Sequence, residues 1–180
     1  MTKIAVLVGS LREESINATY AKALEKLGAG RFTFDIVDMD LPLYNNDLWE
    51  NPPAKVLALK AAIKGADGVL IVTPEYNRSV AAVTKNAIDW ASRPYGESAW
   101  PGKAVAITGA SPGAQGTAVA QSQLRSILTI LGTHVLSEPE VYITFKPEVF
   151  AADGTILNES TAKFLSGFLD TFAALIEKVK

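Results

Sequence analysis

The chain has 180 residues, no cysteine, a single histidine and a net charge of −2. That length suits one domain over residues 1–180 with a sizeable core. The composition excludes disulfide frameworks, thiolate metal sites, cysteine nucleophiles and two-histidine metal centres, and the lack of any basic run argues against a nucleic-acid partner.

The first apolar run, Ile4-Ala5-Val6-Leu7-Val8, reads as a strand buried on both faces. It is short and leads into a strand, not a cleavage-like site, so no secretory leader is expected. No apolar stretch has the length to cross a bilayer. The expectation is a cytoplasmic protein with no membrane partner.

Gly9 to Asn17 follows that strand, and Ala18 to Leu27 has helical character. Strand, polar turn and helix start make an anion-binding geometry in open α/β sheets. Gly9 permits a sharp turn. Ser10, Ser15 and Asn17 offer hydroxyl and amide donors, and Arg12 offers a permanent cationic fork. Taken alone, the same residues also fit a capped βα turn with no ligand, since Ser and Asn are common helix caps. Glu13 and Glu14 must face solvent if an anion binds.

Gly28-Ala29-Gly30 ends the first helix. Phe32 to Val37 alternates as a strand near a sheet edge does. Asp38 to Asp47 is a loop, and Pro52-Pro53 opens a helix over Ala54 to Lys64. Val69 to Val72 is a third, wholly apolar strand that runs into Thr73-Pro74-Glu75-Tyr76-Asn77-Arg78-Ser79. A helix is expected from Val80 to about Ser92, with Ser79 at its start. Lys103 to Thr108 is the fourth strand, Gly109 to Gly116 its loop, and Thr117 to Leu131 the fourth helix. Gly132 to Leu136 begins a fifth strand that Val141-Tyr142-Ile143 extends or accompanies. The last helix starts near Asn158 with Phe164, Leu165, Phe168, Leu169, Phe172 and Ile176 on one face.

Five β-α units predict a three-layer α/β/α sandwich on a five-stranded parallel sheet. The flavodoxin-like order 2-1-3-4-5 suits five strands and puts ligands at the C-terminal strand ends. The elaborate loops after strands 1, 3 and 4 all fall on that edge.

Competing motifs fail on particular residues. The first loop has neither the Gly-Lys-Ser/Thr of a P-loop nor the glycines of a dinucleotide turn. Gly109-Ala110-Ser111-Pro112-Gly113 matches the nucleophile elbow of hydrolases. However, Pro112 has no N–H for an oxyanion hole, and His134 leaves little room for an intervening acid. A phosphate cradle, a rigid loop with a planar aromatic and amide, and a small glycine-rich loop suit a mononucleotide with a flat ring, such as FMN.

Gly9-Ser10-Leu11-Arg12 with Ser15 and Asn17, Pro74-Glu75-Tyr76-Asn77 with Ser79, and Lys85-Asn86-Ala87-Ile88-Asp89-Trp90 with Ser92-Arg93-Pro94 resemble the NAD(P)H-dependent FMN reductase family, which includes chromate, quinone and azo reductases. The resemblance implies a flavodoxin-like fold, bound FMN, NADPH or NADH as co-substrate, and a homodimer or homotetramer. It implies phosphate contacts from Ser10, Arg12, Ser15, Ile16 and Asn17. Ring and ribityl contacts are implied from Pro74, Glu75, Tyr76 and Asn77, with a further contact from Ser111. Hydride would pass through the flavin to a flavin, quinone, azo or chromate-type acceptor, so no catalytic side chain and no metal are needed. Arg125 and Glu140 resemble a pair that bridges subunits, and Tyr44, Trp49 and Trp100 would be exposed loop aromatics at an interface. Where the family has Pro-Gly after its Pro-Glu-Tyr-Asn-x-Ser and one apolar residue, this chain has Ala81-Ala82. The rival readings are a flavodoxin-like electron carrier and a non-catalytic flavin-binding redox sensor.

Overall fold

A computed structural model describes all 180 residues. In chain order the elements are β1 (Thr2–Val8), α1 (Ile16–Leu27), β2 (Phe32–Ile36), a 3₁₀ turn (Asn46–Glu50), α2 (Ala54–Gly65) and β3 (Gly68–Val72). Then come β4 (Glu75–Tyr76), β5 (Ser79–Val80), α3 (Ala82–Ala91), β6 (Ala104–Ser111), α4 (Ala118–Ile130), β7 (His134–Val135), β8 (Val141–Thr144) and α5 (Glu159–Val179). The main sheet is parallel in the order β2-β1-β3-β6-β7, with β8 also paired to β6. This is the flavodoxin-like order. The fifth position is filled by two short strands in succession: Ala104 faces His134 and Thr108 faces Val141.

The continuous apolar runs follow from burial on both sides. Successive residues of a strand point to opposite faces. Ile4, Val6 and Val8 of β1 join 22 buried residues under α1 and α5, while Ala5 and Leu7 join 20 under α2, α3 and α4. The two faces are therefore about equally sealed, and the central strands β1 and β3 need no polar stripe.

Several boundaries differ from the sequence reading. The helix expected from Val80 begins at Ala82, because Glu75–Tyr76 and Ser79–Val80 form an antiparallel hairpin. Its two turn residues, Asn77 (φ 50°) and Arg78 (φ 60°), are both left-handed, which matches the right-handed twist of paired strands. The fourth strand runs on through Gly109-Ala110-Ser111 because β8 supplies a partner for each of them.

The aromatics also move inward. Trp100 is fully buried and so is no exposed interface group, while Tyr44 and Trp49 are half-buried and pack edge-on against buried Trp90. The 42–50 segment is held over α3: the Trp90 indole and the Asn86 amide both donate to Pro42 O, and Asn86 accepts from Tyr44 N. On α5, Leu165, Phe168, Leu169, Phe172 and Ile176 are buried, but Phe164 lies off that face and is exposed. Arg125 Nε lies 3.5 Å from Glu140 Oε1, and Arg125 also donates to Leu136 O.

Candidate functional site

The loop after β1 is shaped by space more than by torsion. Gly9 has no left-handed φ, so the turn expected there does not depend on a glycine torsion. A Cβ there would lie 2.1 Å from Thr84 Oγ1 and 3.0 Å from Pro74 Cδ. The glycine therefore lets the first loop press against the loop after β3. Gly9 N continues the β1–β3 ladder to Val72 O, and Ser10 N then turns back to Val8 O.

Ser15 is the N-cap of α1: its hydroxyl oxygen accepts from Ala18 N at 3.2 Å. That bond uses an oxygen lone pair and leaves the hydroxyl proton free to donate. The first-turn N–H groups of Ile16 and Asn17 have no partner inside the helix, and no acidic side chain sits in that turn. The positive end of the helix is thus uncompensated and favours an anion. Glu13 and Glu14 are exposed, and neither lines the cavity described below.

Asn17 departs from expectation. Its side-chain amide is buried and donates to Ala110 O while accepting from Ala110 N, both at 2.9 Å. It ties α1 to β6 instead of facing an anion, so its donor on this edge is the backbone N–H. Glu75 departs in the same way. Its carboxylate is nearly buried and accepts from the Val119 and Ala120 N–H groups at 2.9 and 3.0 Å. Those are first-turn groups of α4, whose N-cap Thr117 makes no side-chain capping bond.

A cavity of about 280 Å³ gathers Ser10, Arg12, Ser15, Ile16, Asn17, Pro74, Glu75, Tyr76 and Ser111, together with Ala110 and Pro112. Of the candidates only Asn77 lies outside it, at the tip of the hairpin. Arg12 is the one cationic side chain on its wall. A second cavity, of about 350 Å³, adjoins it at Glu75 and Ser111 and is otherwise lined by Arg78 and Gly113–Gly116. Gly116 is required there: its φ is +57°, and a Cβ would meet the Ile143 N atom at 2.9 Å. Ser111 Oγ accepts from Gly113 N and steadies the start of that loop.

A larger groove of about 670 Å³ lies between β2 and α2. It holds none of the candidate residues, and its charges pair among themselves: Lys3 with Asp35, Lys55 with Asp38. Size alone does not mark the site. The hydrolase reading fails on geometry too. His134 pairs with Ala104, at the far end of β6 from Ser111, a separation of about 23 Å at ~3.3 Å per residue.

The sequence reading missed Gln123 and the first-turn N–H groups of α4. Gln123 is one polar residue on an exposed helical face, and nothing in its spacing connects it to a loop more than 40 positions earlier.

Comparison with known proteins shows the family of the chain. The model of a family described as NADPH-dependent FMN reductase matches residues 2–148. A 2-hydroxy-1,4-benzoquinone reductase from a Burkholderia species is 50% identical over 175 residues, covering 97% of this chain and 96% of that protein. A quinone reductase from Pseudomonas putida is 44% identical over 176 residues, covering 97% and 94%. Among solved structures, FerB, a flavoenzyme NAD(P)H:(acceptor) oxidoreductase from Paracoccus denitrificans, has a TM-score of 0.96 at 50% identity, covering 99% and 98%. A WrbA-like flavodoxin from Agrobacterium tumefaciens, 16% identical with a TM-score of 0.66 and full coverage of both chains, shares the fold. No helix of the chain is long and apolar enough to cross a membrane.

Proposed function

The chain belongs to the NADPH-dependent FMN reductase family, and from that premise we propose that it is an NAD(P)H-dependent quinone reductase working through bound FMN. One observation carries the assignment of the site: loops far apart in sequence bring every candidate residue but Asn77 to a single cavity at the C-terminal edge of the sheet.

The donors there fit FMN. A phosphate dianion needs several donors and a counter-charge. Arg12, the Ser10 and Ser15 hydroxyls and the open N–H groups of Ile16 and Asn17 supply both. A flat ring needs a slot with little side-chain bulk. Pro74 to Tyr76 and Ser111 to Gly116 border one, with Tyr76 half-exposed at its rim. When bound, FMN supplies the two-electron chemistry between a reduced nicotinamide and an acceptor. The chain's own part is to hold the phosphate, orient the ring and present N–H groups where reduction adds negative charge. No side-chain acid or nucleophile is assigned.

Quinones are the proposed acceptors because relatives at 50% and 44% identity over nearly the whole chain are named for them. A cytoplasmic, homo-oligomeric enzyme completes the proposal. Its need for reduced nicotinamide supports that compartment, and exposed Leu43 and Tyr95 are apolar surface for a second copy.

The test is spectroscopic. The purified protein, loaded with FMN, should bleach within one turnover time on anaerobic addition of NADPH or NADH, and a benzoquinone should restore the colour with two-electron stoichiometry. A protein that takes up no FMN would end this reading. Bleaching that needs a protein reductase instead of a nicotinamide would favour an electron carrier, and flavin binding without turnover would favour a redox sensor.

A further inference from the structure

The hairpin Glu75–Val80 forms part of both cavities, yet little inside it explains why it holds its shape. Each of its strands is two residues long, and short isolated hairpins are marginal. Both turn residues are non-glycine in the left-handed region, which is unfavourable at each. No proline stiffens its exit, where Ala81-Ala82 stand.

The restraint comes from α4. Glu75 Oε2 takes the Val119 and Ala120 N–H groups, serving as the cap that Thr117 does not provide. One turn further on, Gln123 grips the other strand. Its Oε1 accepts from Ser79 Oγ at 2.8 Å and Val80 N at 3.3 Å, and its Nε2 donates to Arg78 O at 3.2 Å. One helix thus holds both strands of the hairpin, and the Arg78 carbonyl bond falls on a left-handed residue.

We propose that Glu75 and Gln123 are positioning residues: together they clamp the 75–80 hairpin to α4 and so set the cavity wall, acting through the main chain and not by side-chain contact with a ligand. The proposal rests on the FMN reading only for what the wall holds. It replaces a direct ring contact by the Glu75 carboxylate with an indirect role.

The test uses two pairs of variants. Both N–H bonds to Glu75 end on Oε2, so Glu75→Gln keeps that acceptor and loses the charge that faces Arg78 from Oε1 at 3.7 Å, while Glu75→Ala loses the clamp as well. Gln123→Glu keeps the acceptor for Ser79 and Val80, while Gln123→Ala loses all three bonds. The first readout is amide hydrogen exchange in the FMN-free protein. Gln123→Ala should speed exchange at Val80 N by about tenfold and leave the middle of α4 unchanged. The second is FMN affinity and the reduction potential of bound flavin. Glu75→Ala should weaken binding by about tenfold and move the potential, with Glu75→Gln within about threefold of the parent. Gln123→Ala should cost about threefold and Gln123→Glu less. The double alanine variant should lose more than the product of the single effects, because either restraint alone still holds the hairpin.

Glu75→Gln as damaging as Glu75→Ala, with Gln123→Ala silent in exchange and affinity, would overturn the clamp and give Glu75 a charged role at the ligand. Failure of the parent protein to bind FMN would overturn the functional reading while the exchange result still decides the clamp.

Discussion

The two edges of the sheet use the same kinds of residue to opposite ends. At the N-terminal edge Lys3, Asp67, Lys103 and Lys180 all have partners. Lys103 Nζ donates to Lys64 O and Ala66 O, closing the end of α2. Asp67 accepts from Lys3 N at 2.7 Å and pairs with Lys180 at 3.3 Å. The titrating groups feel this: burial pushes the Lys103 ammonium down, and the Lys3 N–H holds the Asp67 carboxyl below the usual range. At the C-terminal edge Arg12 pairs with no carboxylate, Ser15 keeps a free hydroxyl proton, and the first-turn N–H groups of α1 stand open. Polar groups that satisfy one another stabilise the fold. Polar groups left open, on a frame that cannot relax around them, are ready for a ligand.

The largest expected effect falls where the two roles share ground. Gly109→Ala would put a Cβ 1.9 Å from the Thr73 carbonyl oxygen and 2.5 Å from Thr117 Oγ1. Overpacking against backbone should cost about 3 kcal/mol or more, read as a lowered denaturation midpoint with FMN uptake lost in parallel. A stable Gly109→Ala protein would mean that β6 and the loop after β3 are not packed this tightly.

Next is Arg12→Ala, which should separate the edges. A lost charge-assisted contact is worth about 2 kcal/mol, so FMN affinity should fall some 30-fold while the melting temperature of the FMN-free protein stays put. Unchanged affinity would remove Arg12 from the phosphate site.

Asp67→Ala should do the reverse. It should cost about 1 kcal/mol of stability and leave FMN affinity alone. The pH dependence has a definite sign. The folded carboxyl titrates lower than the unfolded one, so its contribution is full above the unfolded value of about 4 and is lost as pH falls through the folded value. The difference between parent and variant should shrink with acidification below about pH 4, and a difference that grew there would refute the assignment.

The smallest effect is a gain. Ala81 has φ −61° and ψ 136°, and no backbone acceptor takes its N–H. Proline fits that torsion, and Val80 before it is extended, as the residue before proline prefers to be. Ala81→Pro should add about 0.5 kcal/mol and partly mask the loss in Gln123→Ala. A destabilised Ala81→Pro would show that the exit of the hairpin is already held by other means.

Much of this was legible from local pattern. Strand order, helix count and the convergence of three loops follow from hydrophobic period, turn residues and the geometry of open α/β sheets, all short-range or topological. The loops that carry the candidate residues were legible for the same reason, as they follow strand ends directly, while the full set of residues came with the family resemblance. What their side chains do was not. Asn17 and Glu75 both carry groups that suit a ligand, and both are occupied by backbone on a neighbouring element, Ala110 for one and Val119 with Ala120 for the other. Trp100 sits in a segment that reads as an exposed loop, yet it is sealed against the core.

The sequence by itself therefore determined the sheet and which loops meet at its C-terminal edge, since period and punctuation act within a few residues. Only the tertiary structure decided which polar groups remain open. A hydrogen bond between residues more than 40 or 90 positions apart, as from Glu75 to α4 or Asn17 to β6, depends on where two elements come to rest. That is set by the summed packing of both faces of the sheet and not by any local run of residues.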